Sequence, residues 1–150
     1  MAKRKQSEKS DFDHEVLDIA RVSRVMSGGR RFSFRATVVA GDRNGKVGVG
    51  VGKGADTASA INKAFNKAKK SMVSVSVTES GTIPVDVRAS FGGADVLFKP
   101  AKEGKGIVAG GAVRTVLDYA GVRNISAKML GSKNKLNNAR ATVKAFVKMS

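Results

Sequence analysis

Hydrophobic and polar positions along the chain form two successive runs of strand-like alternation, each closed by helical periodicity. From Asp13 to Met26, apolar residues recur at Val16, Ile19, Val22 and Val25, a spacing of three that fits either a helix or a twisted strand. Gly28-Gly29 interrupts it. Phe32 to Val38 then alternates apolar and polar, as a half-buried strand does. Asp42-Arg43-Asn44-Gly45 follows, and Asn-Gly is a strong hairpin signal because both residues tolerate positive φ. On the returning strand, Lys46 to Lys53, Val47, Val49 and Val51 fall on one face and Gly48, Gly50 and Gly52 on the other. Bare backbone on one face admits the close approach of a helix or of an RNA backbone.

A helix is predicted over about 56–72, capped by Asp56 or Thr57. Ala58, Ile61, Phe65, Ala68 and Met72 form its inward stripe, with Lys63, Lys67 and Lys70 on the other side. No acid interleaves that lysine row between Asp56 and Glu79. The chain turns small and polar around Ser74 to Thr82, which marks a boundary between units at 13–78 and 79–150, after a basic tail at 1–12. The second unit repeats the order. Ile83 to Ala89 alternates, Gly92-Gly93 turns, and Val96 to Phe98 is a short strand stopped by Pro100. A helix over 107–120 buries Ala109, Ala112, Val113, Val116, Leu117 and Ala120, pairs Arg114 with Asp118 outside, and ends at Gly121. A strand at 124–130 precedes a last helix over about 133–148. That helix turns Leu136, Ala139, Val143 and Phe146 or Val147 inward and Arg140, Lys144 and Lys148 outward.

Charge changes the picture. The 150 residues carry 28 Lys and Arg against 12 Asp and Glu, a formal net charge of +16. The first 78 residues hold 16 cations and 7 acids and the remainder 12 and 5, so both units are basic. Such an uncompensated balance on a chain that is 41% apolar points to a folded protein that meets a polyanion. An anionic membrane is the lesser reading, because no strongly amphipathic helix with aromatic anchors is present. Cysteine is absent, which removes disulfides and thiolate metal sites. Met1 to Ser10 is basic and polar without an apolar core, unlike a secretory signal.

The segment Glu103-Gly104-Lys105-Gly106 through Gly110-Gly111-Ala112-Val113-Arg114 has the look of a phosphate loop, since glycines and cations meet where a helix is predicted to begin. Its spacing fails the test. Gly104-Lys105 is followed by Gly106 where a hydroxyl is required, and Gly52-Lys53-Gly54 fails likewise. The dinucleotide pattern after Gly48-Val49-Gly50 breaks at Lys53. Only His14 is available as an imidazole ligand, read as a solvated side chain, and the acids are scattered, so no acid–base or nucleophilic constellation assembles. No enzyme activity, metal, cofactor or small-molecule substrate is expected. Phe32 and Phe34 are read as core rather than stacking platforms, so base-specific reading by aromatics is not favoured.

Arg21-Val22-Ser23-Arg24 through Gly28-Gly29-Arg30-Arg31-Phe32-Ser33-Phe34, then Gly41 to Gly48 and Gly52-Lys53-Gly54, resembles the first half of the bacterial small-subunit ribosomal protein five family. The glycine–cation segment, continued through Val116-Leu117 and Ala120 to Asn124, resembles its second half. The resemblance implies an α+β chain: a double-stranded-RNA-binding-like β-β-β-α module followed by a two-layer β-β-α-β-α module with a left-handed crossover. It implies a structural role in the cytoplasmic 30S subunit, binding 16S rRNA at the head–body junction and supporting translational accuracy. Ribosomal proteins four and eight are the implied neighbours. The expected rRNA contacts are Arg21, Arg24, Gly28, Gly29, Arg30, Arg31, Lys53, Lys63, Lys67, Lys70 and Lys133. Gly104, Lys105, Gly106 and Arg114 are the expected protein-partner surface. Lys133-Asn134-Lys135 departs from the Thr-Asn-Pro more frequent in that family and leaves the start of the last helix open. A free RNA-binding module and a small-molecule kinase are the rival readings.

Overall fold

The computed structural model describes residues 12–149, so the tail expected over 1–12 lies almost wholly outside the described residues. Strands β1 (Asp13–Met26), β2 (Gly29–Gly41) and β3 (Lys46–Gly54) form an antiparallel meander. Helix α1 (Thr57–Lys70) follows, and the short β4 (Val73–Ser74) closes the sheet against β3. The second sheet has the order β5-β6-β8-β7, built from β5 (Val87–Phe91), β6 (Ala94–Pro100), β7 (Ile107–Val108) and β8 (Ile125–Met129). Helix α2 (Gly111–Ala120) joins the parallel pair β7 and β8, and α3 (Lys135–Met149) ends the chain. The α+β class and the β-β-β-α opening agree with the sequence reading. The ambiguous run at 13–26 is a strand, with a register shift between Val16 and Asp18.

The glycine face of β3 belongs to a helix. A Cβ on Gly50 would stand 2.3 Å from the Ala64 carbonyl oxygen and 2.4 Å from the Ala68 nitrogen, and one on Gly48 would stand 2.3 Å from the Ala68 oxygen. Backbone therefore lies on backbone, and only the smallest side chains fit between. This corrects the predicted stripe of α1. Ala60, Ala64 and Ala68 face the sheet, Ile61 and Phe65 flank them, and Ala58 is exposed. Asp56 caps the helix, its Oδ1 accepting from the Ser59 N–H at 2.7 Å.

The valine face of β3 belongs to the other half of the molecule. Val39 and Val47 share one core with Val113, Val116 and Leu117 of α2 and with Ala141, Ala145 and Phe146 of α3. Consequently β2 is covered on both faces from Ala36 to Ala40, not half-buried. At the seam, the N–H groups of Arg43 and Gly45 donate to the carbonyls of Tyr119 and Ala120, each at 3.0 Å. The β2–β3 connection is thus not the two-residue Asn-Gly turn. Its left-handed residues are Arg43 (φ 56°) and Gly45, and Asp42 Oδ1 organises it by accepting from the Asn44 and Lys46 N–H groups. Arg43 also lays its guanidinium 4.3 Å from the Tyr119 ring centroid and pairs with Asp13 at 2.7 Å. Asp118 faces Arg43 at 3.7 Å instead of the expected Arg114.

Other boundaries move for local reasons. The strand predicted from Ile83 begins at Val87, because Pro84 offers no N–H to a ladder. Gly92-Gly93 does turn the chain between Phe91 and Ala94, and Pro100 is the last residue of β6 rather than a stop beyond it. Ile107 and Val108 are a strand and α2 starts only at Gly111, since β8 offers them an open edge to pair with. In α3 the buried positions are Asn138, Ala139, Ala141, Thr142, Ala145 and Phe146, while Val147 is exposed. Asn134 opens the region of Lys133-Asn134-Lys135, its Oδ1 accepting from the Asn137 N–H at 3.1 Å. His14 is exposed but rests against the Phe65 ring, with centroids 4.6 Å apart.

Two predictions test this packing. Gly50→Ala should cost about 2–3 kcal/mol of stability in urea unfolding. Gly111→Ala, where a Cβ meets nothing within 4 Å, should be neutral or stabilise by about 0.5 kcal/mol. The seam has its own probe, because the chain contains one tyrosine and no tryptophan. Burial, aided by the Glu15 carboxylate, pushes the Tyr119 phenol above its ordinary range against the opposing effect of Arg43. Alkaline absorbance titration should therefore find Tyr119 ionising at higher pH in the native protein than in urea. Its contribution to stability is complete below the unfolded pKa and falls away as pH rises through the native one. Glu15→Gln should lower the native midpoint, and coincident native and unfolded titrations would refute the buried seam.

Candidate nucleic-acid interface

All but two of the predicted cations divide between two places. The first is the far end of the β1–β2 ribbon. Strand β3 pairs with β2 only as far as Phe34, so from Val22 through Ser33 the two strands have no third partner. Ser27 and Gly28 form the tip, and a Cβ at Gly28 or Gly29 would meet nothing within 4 Å. Arg21 and Arg31 are exposed along the ribbon, and Arg24 stands opposite Arg31 in the register. The backbone of Arg24 and Arg30 lies in this ribbon; their side chains lie outside the described residues. Phe32 is not core. It is 48% exposed, with the Arg21 guanidinium 4.0 Å from its ring centroid. Phe34 is half-buried against the cluster beneath α1.

The second place is a cleft of about 930 Å³ where α1 and β3 face α3. Lys53 enters from β3, Lys63 and Lys67 from α1, and Arg140 and Lys144 from α3. Lys144 Nζ donates to the Ser90 carbonyl at 3.0 Å, and Ser71 Oγ donates to the Val49 carbonyl at 3.2 Å. No carboxylate lines the cleft, so five cations stand together without a local counter-charge. Lys70 and Lys133 are exposed but lie outside this lining. Sequence reasoning placed Arg140 and Lys144 on an outward face at i, i+4 without assigning them a role. It could not place α3 beside α1, and that juxtaposition makes them part of the site. Phe91, at the mouth of the β5–β6 turn, was missed altogether.

The glycine–cation loop is built for a different purpose. The N–H groups of Gly104 and Gly106 both donate to Asn124 Oδ1 at 3.0 Å, so neither remains to hold a phosphate. Asn124 Nδ2 in turn donates to the Ser80 carbonyl at 2.8 Å. Gly104 and Gly106 adopt positive φ, 91° and 78°, which curls the loop around that one buried amide. Lys105 is left exposed at the loop's crest, and Arg114 is exposed one turn into α2 beside Ile107 and Thr115. Among the described residues, no three His, Cys, Asp or Glu side chains are grouped to hold a metal ion. None of the described helices is long and apolar enough to cross a membrane.

Asn124→Ala should destabilise the protein by about 3 kcal/mol, because two N–H groups and a carbonyl lose their partner together. Lys105→Ala should stay within about 0.5 kcal/mol of the parent. Equal unfolding midpoints for Asn124→Ala and the parent would remove Asn124 from this role.

Comparison with known proteins agrees with this architecture. Residues 12–76 match the family model for the ribosomal protein S5 N-terminal domain, and residues 89–150 match that for the S5 C-terminal domain. The small ribosomal subunit protein uS5 of a Picosynechococcus species is 51% identical over 151 residues, covering 97% of this chain and 87% of the relative. That of Nostoc punctiforme is 50% identical over 144 residues, with 96% and 82% covered. Protein uS5c of Cyanophora paradoxa is 50% identical over 141 residues, with 94% and 83% covered. With both halves matched in order and half of the aligned residues identical, this chain belongs to the ribosomal protein S5 family.

Proposed function

We propose that this chain, a non-enzymatic structural component of the small ribosomal subunit, binds 16S rRNA at the junction of head and body and supports accurate translation there. The observation that carries the RNA-binding part is the acid-free cleft, where Lys53, Lys63, Lys67, Arg140 and Lys144 converge from both modules. Five cations of one sign in a concavity raise the local potential and attract a polyanion. Each phosphate they neutralise releases condensed counterions, so affinity falls with added salt. The β1–β2 ribbon supplies a second anchor, a narrow two-stranded arm with Arg21, Arg24, Arg30 and Arg31 near a glycine tip. Two anchors on one rigid body fit a folded RNA that passes both.

The resemblance supports the rest of the reading. Ribosomal proteins four and eight are the protein neighbours, with the loop at Gly104, Lys105 and Gly106 and the exposed Arg114 turned to protein four. Asn124 keeps that loop stiff enough to present a defined surface. The module boundary is proposed near residue 78 from composition, and the compartment proposed is the cytoplasm. The free RNA-binding module remains the rival that sedimentation separates, since this reading requires the chain to travel with 30S particles.

The test is binding of the full chain to 16S rRNA as a function of salt. Replacing Lys53, Lys63 and Lys67 together by Ala should weaken binding and flatten the slope of log affinity against log salt by about two units. Replacing Arg24, Arg30 and Arg31 should act in the same direction. A slope unchanged in both triple variants would remove these assignments. In cells, Lys105→Glu should raise misreading of a reporter codon, and unaltered fidelity would count against the protein-four interface.

A further inference from the structure

The two cationic places differ in chemistry. The ribbon offers charge on a narrow arm, and its one exposed ring, Phe32, lies under the Arg21 guanidinium at 4.0 Å with no apolar floor beside it. The cleft adds an apolar floor, Val49, Val51 and Val143, and an aromatic ring, Phe91, that is 38% exposed at its edge. Charge alone would serve a duplex, which turns its phosphates outward and hides the faces of its bases. An apolar floor and an open ring gain nothing from such a ligand. An unpaired nucleotide presents both complements at once, a flat base and an anionic linkage.

We infer that the cleft is a site for single-stranded RNA, with one base laid on Phe91 and the valine floor and the flanking phosphates on Lys53, Lys63 and Lys67. This inference rests on the RNA-binding reading above and narrows it from polyanion to unpaired nucleotides. Three observations carry it. First, the ring is open. The Arg140 guanidinium lies 5.7 Å from its centroid, whereas Arg21 is closed onto Phe32 at 4.0 Å. Arg140 thus stands far enough from the ring to leave room beside it, and a guanidinium stacks on a base as well as on a ring. Second, the α3 wall is held in place, because Lys144 is tied to the Ser90 carbonyl, the residue before Phe91. The ring and the cationic wall therefore keep a fixed relation. Third, the lysines come from two elements, Lys53 from β3 and Lys63 and Lys67 one turn apart on α1, an arrangement that suits a run of linked phosphates.

The experiment uses the full chain with Phe91→Trp, which introduces its sole tryptophan. A single-stranded uridine hexamer should quench the indole emission, and an RNA duplex bound at the same salt should not. In a parallel anisotropy assay, Phe91→Ala should weaken hexamer binding about tenfold or more and change duplex binding less than about twofold. If Phe91→Ala fails to fold, the tryptophan variant decides alone. Unquenched emission with the hexamer bound, or equal losses on hexamer and duplex, overturns the inference. Displacement by uridine monophosphate at the concentrations where the hexamer acts also overturns it, in favour of a mononucleotide site. Salt-dependent binding of 16S rRNA with no hexamer binding leaves the broader reading standing and rejects this one. Loss of binding to every RNA rejects both.

Discussion

The C-terminus of helix α2 organises the molecule. A helix ends with carbonyls that have no partner within it, and these must be met by something else. Gly121, at φ 92°, turns the chain away, and the β2–β3 connection of the other module fills the space. There the Arg43 and Gly45 N–H groups reach the Tyr119 and Ala120 carbonyls, with the Arg43 cation beside the negative end of the helix. The fit leaves no slack. A Cβ on Gly41 would stand 2.2 Å from the Tyr119 oxygen, and one on Gly121 would stand 2.5 Å from the Arg43 oxygen. Two sheets that pair no strands with each other are thereby locked into one body around a common core.

That lock creates the cleft. Strand β3 is the shared wall, with α1 lying on its glycine side and α3 meeting its valine side. The alternation of valine and glycine thus serves two packings of opposite kind. Glycine allows the axis of α1 to come close, and valine supplies the volume that the second module buries. Near Lys53 the strand runs past the shared core, and its valines become the floor of a concavity whose rims are cationic. A rigid seam matters here, because cations from both modules act on one ligand only if their separation is held.

Much of this was legible beforehand. The period-two runs placed β2 and β3, the strand read over 124–130 contains β8, the glycine pair placed the β5–β6 turn, and Gly121 placed the end of α2. The basic balance pointed to a polyanion. The errors in the helix faces have a common origin, which is reliance on the larger apolar residues to mark a buried face. In α1 those residues are Ile61 and Phe65, yet a strand of bare backbone selects Ala60, Ala64 and Ala68 as its neighbours. In α3 the buried stripe includes Asn138 and Thr142, whose Nδ2 and Oγ1 donate locally to the Ser132 and Asn138 carbonyls. The glycine–cation loop was recognised as something other than a nucleotide site from its spacing. Its true partner, Asn124, lies 18 to 20 residues along the chain, beyond any local pattern.

The amino-acid sequence by itself determined most of the order of strands and helices (short of β1, β4 and β7), the charge of both modules, the absence of a catalytic constellation and the resemblance to a ribosomal family. The first three follow from periodicity, composition and spacing, which act within a few residues of one another, and the resemblance rests on longer ordered motifs. Only the tertiary structure decided which cations share a ligand, which aromatic rings are open, and where each glycine is needed. Lys53, Lys63, Lys67, Arg140, Lys144 and Phe91 span most of the second and final thirds of the chain, and nothing local draws them together. Closing those distances took long-range pairing, a shared core and one capped helix end.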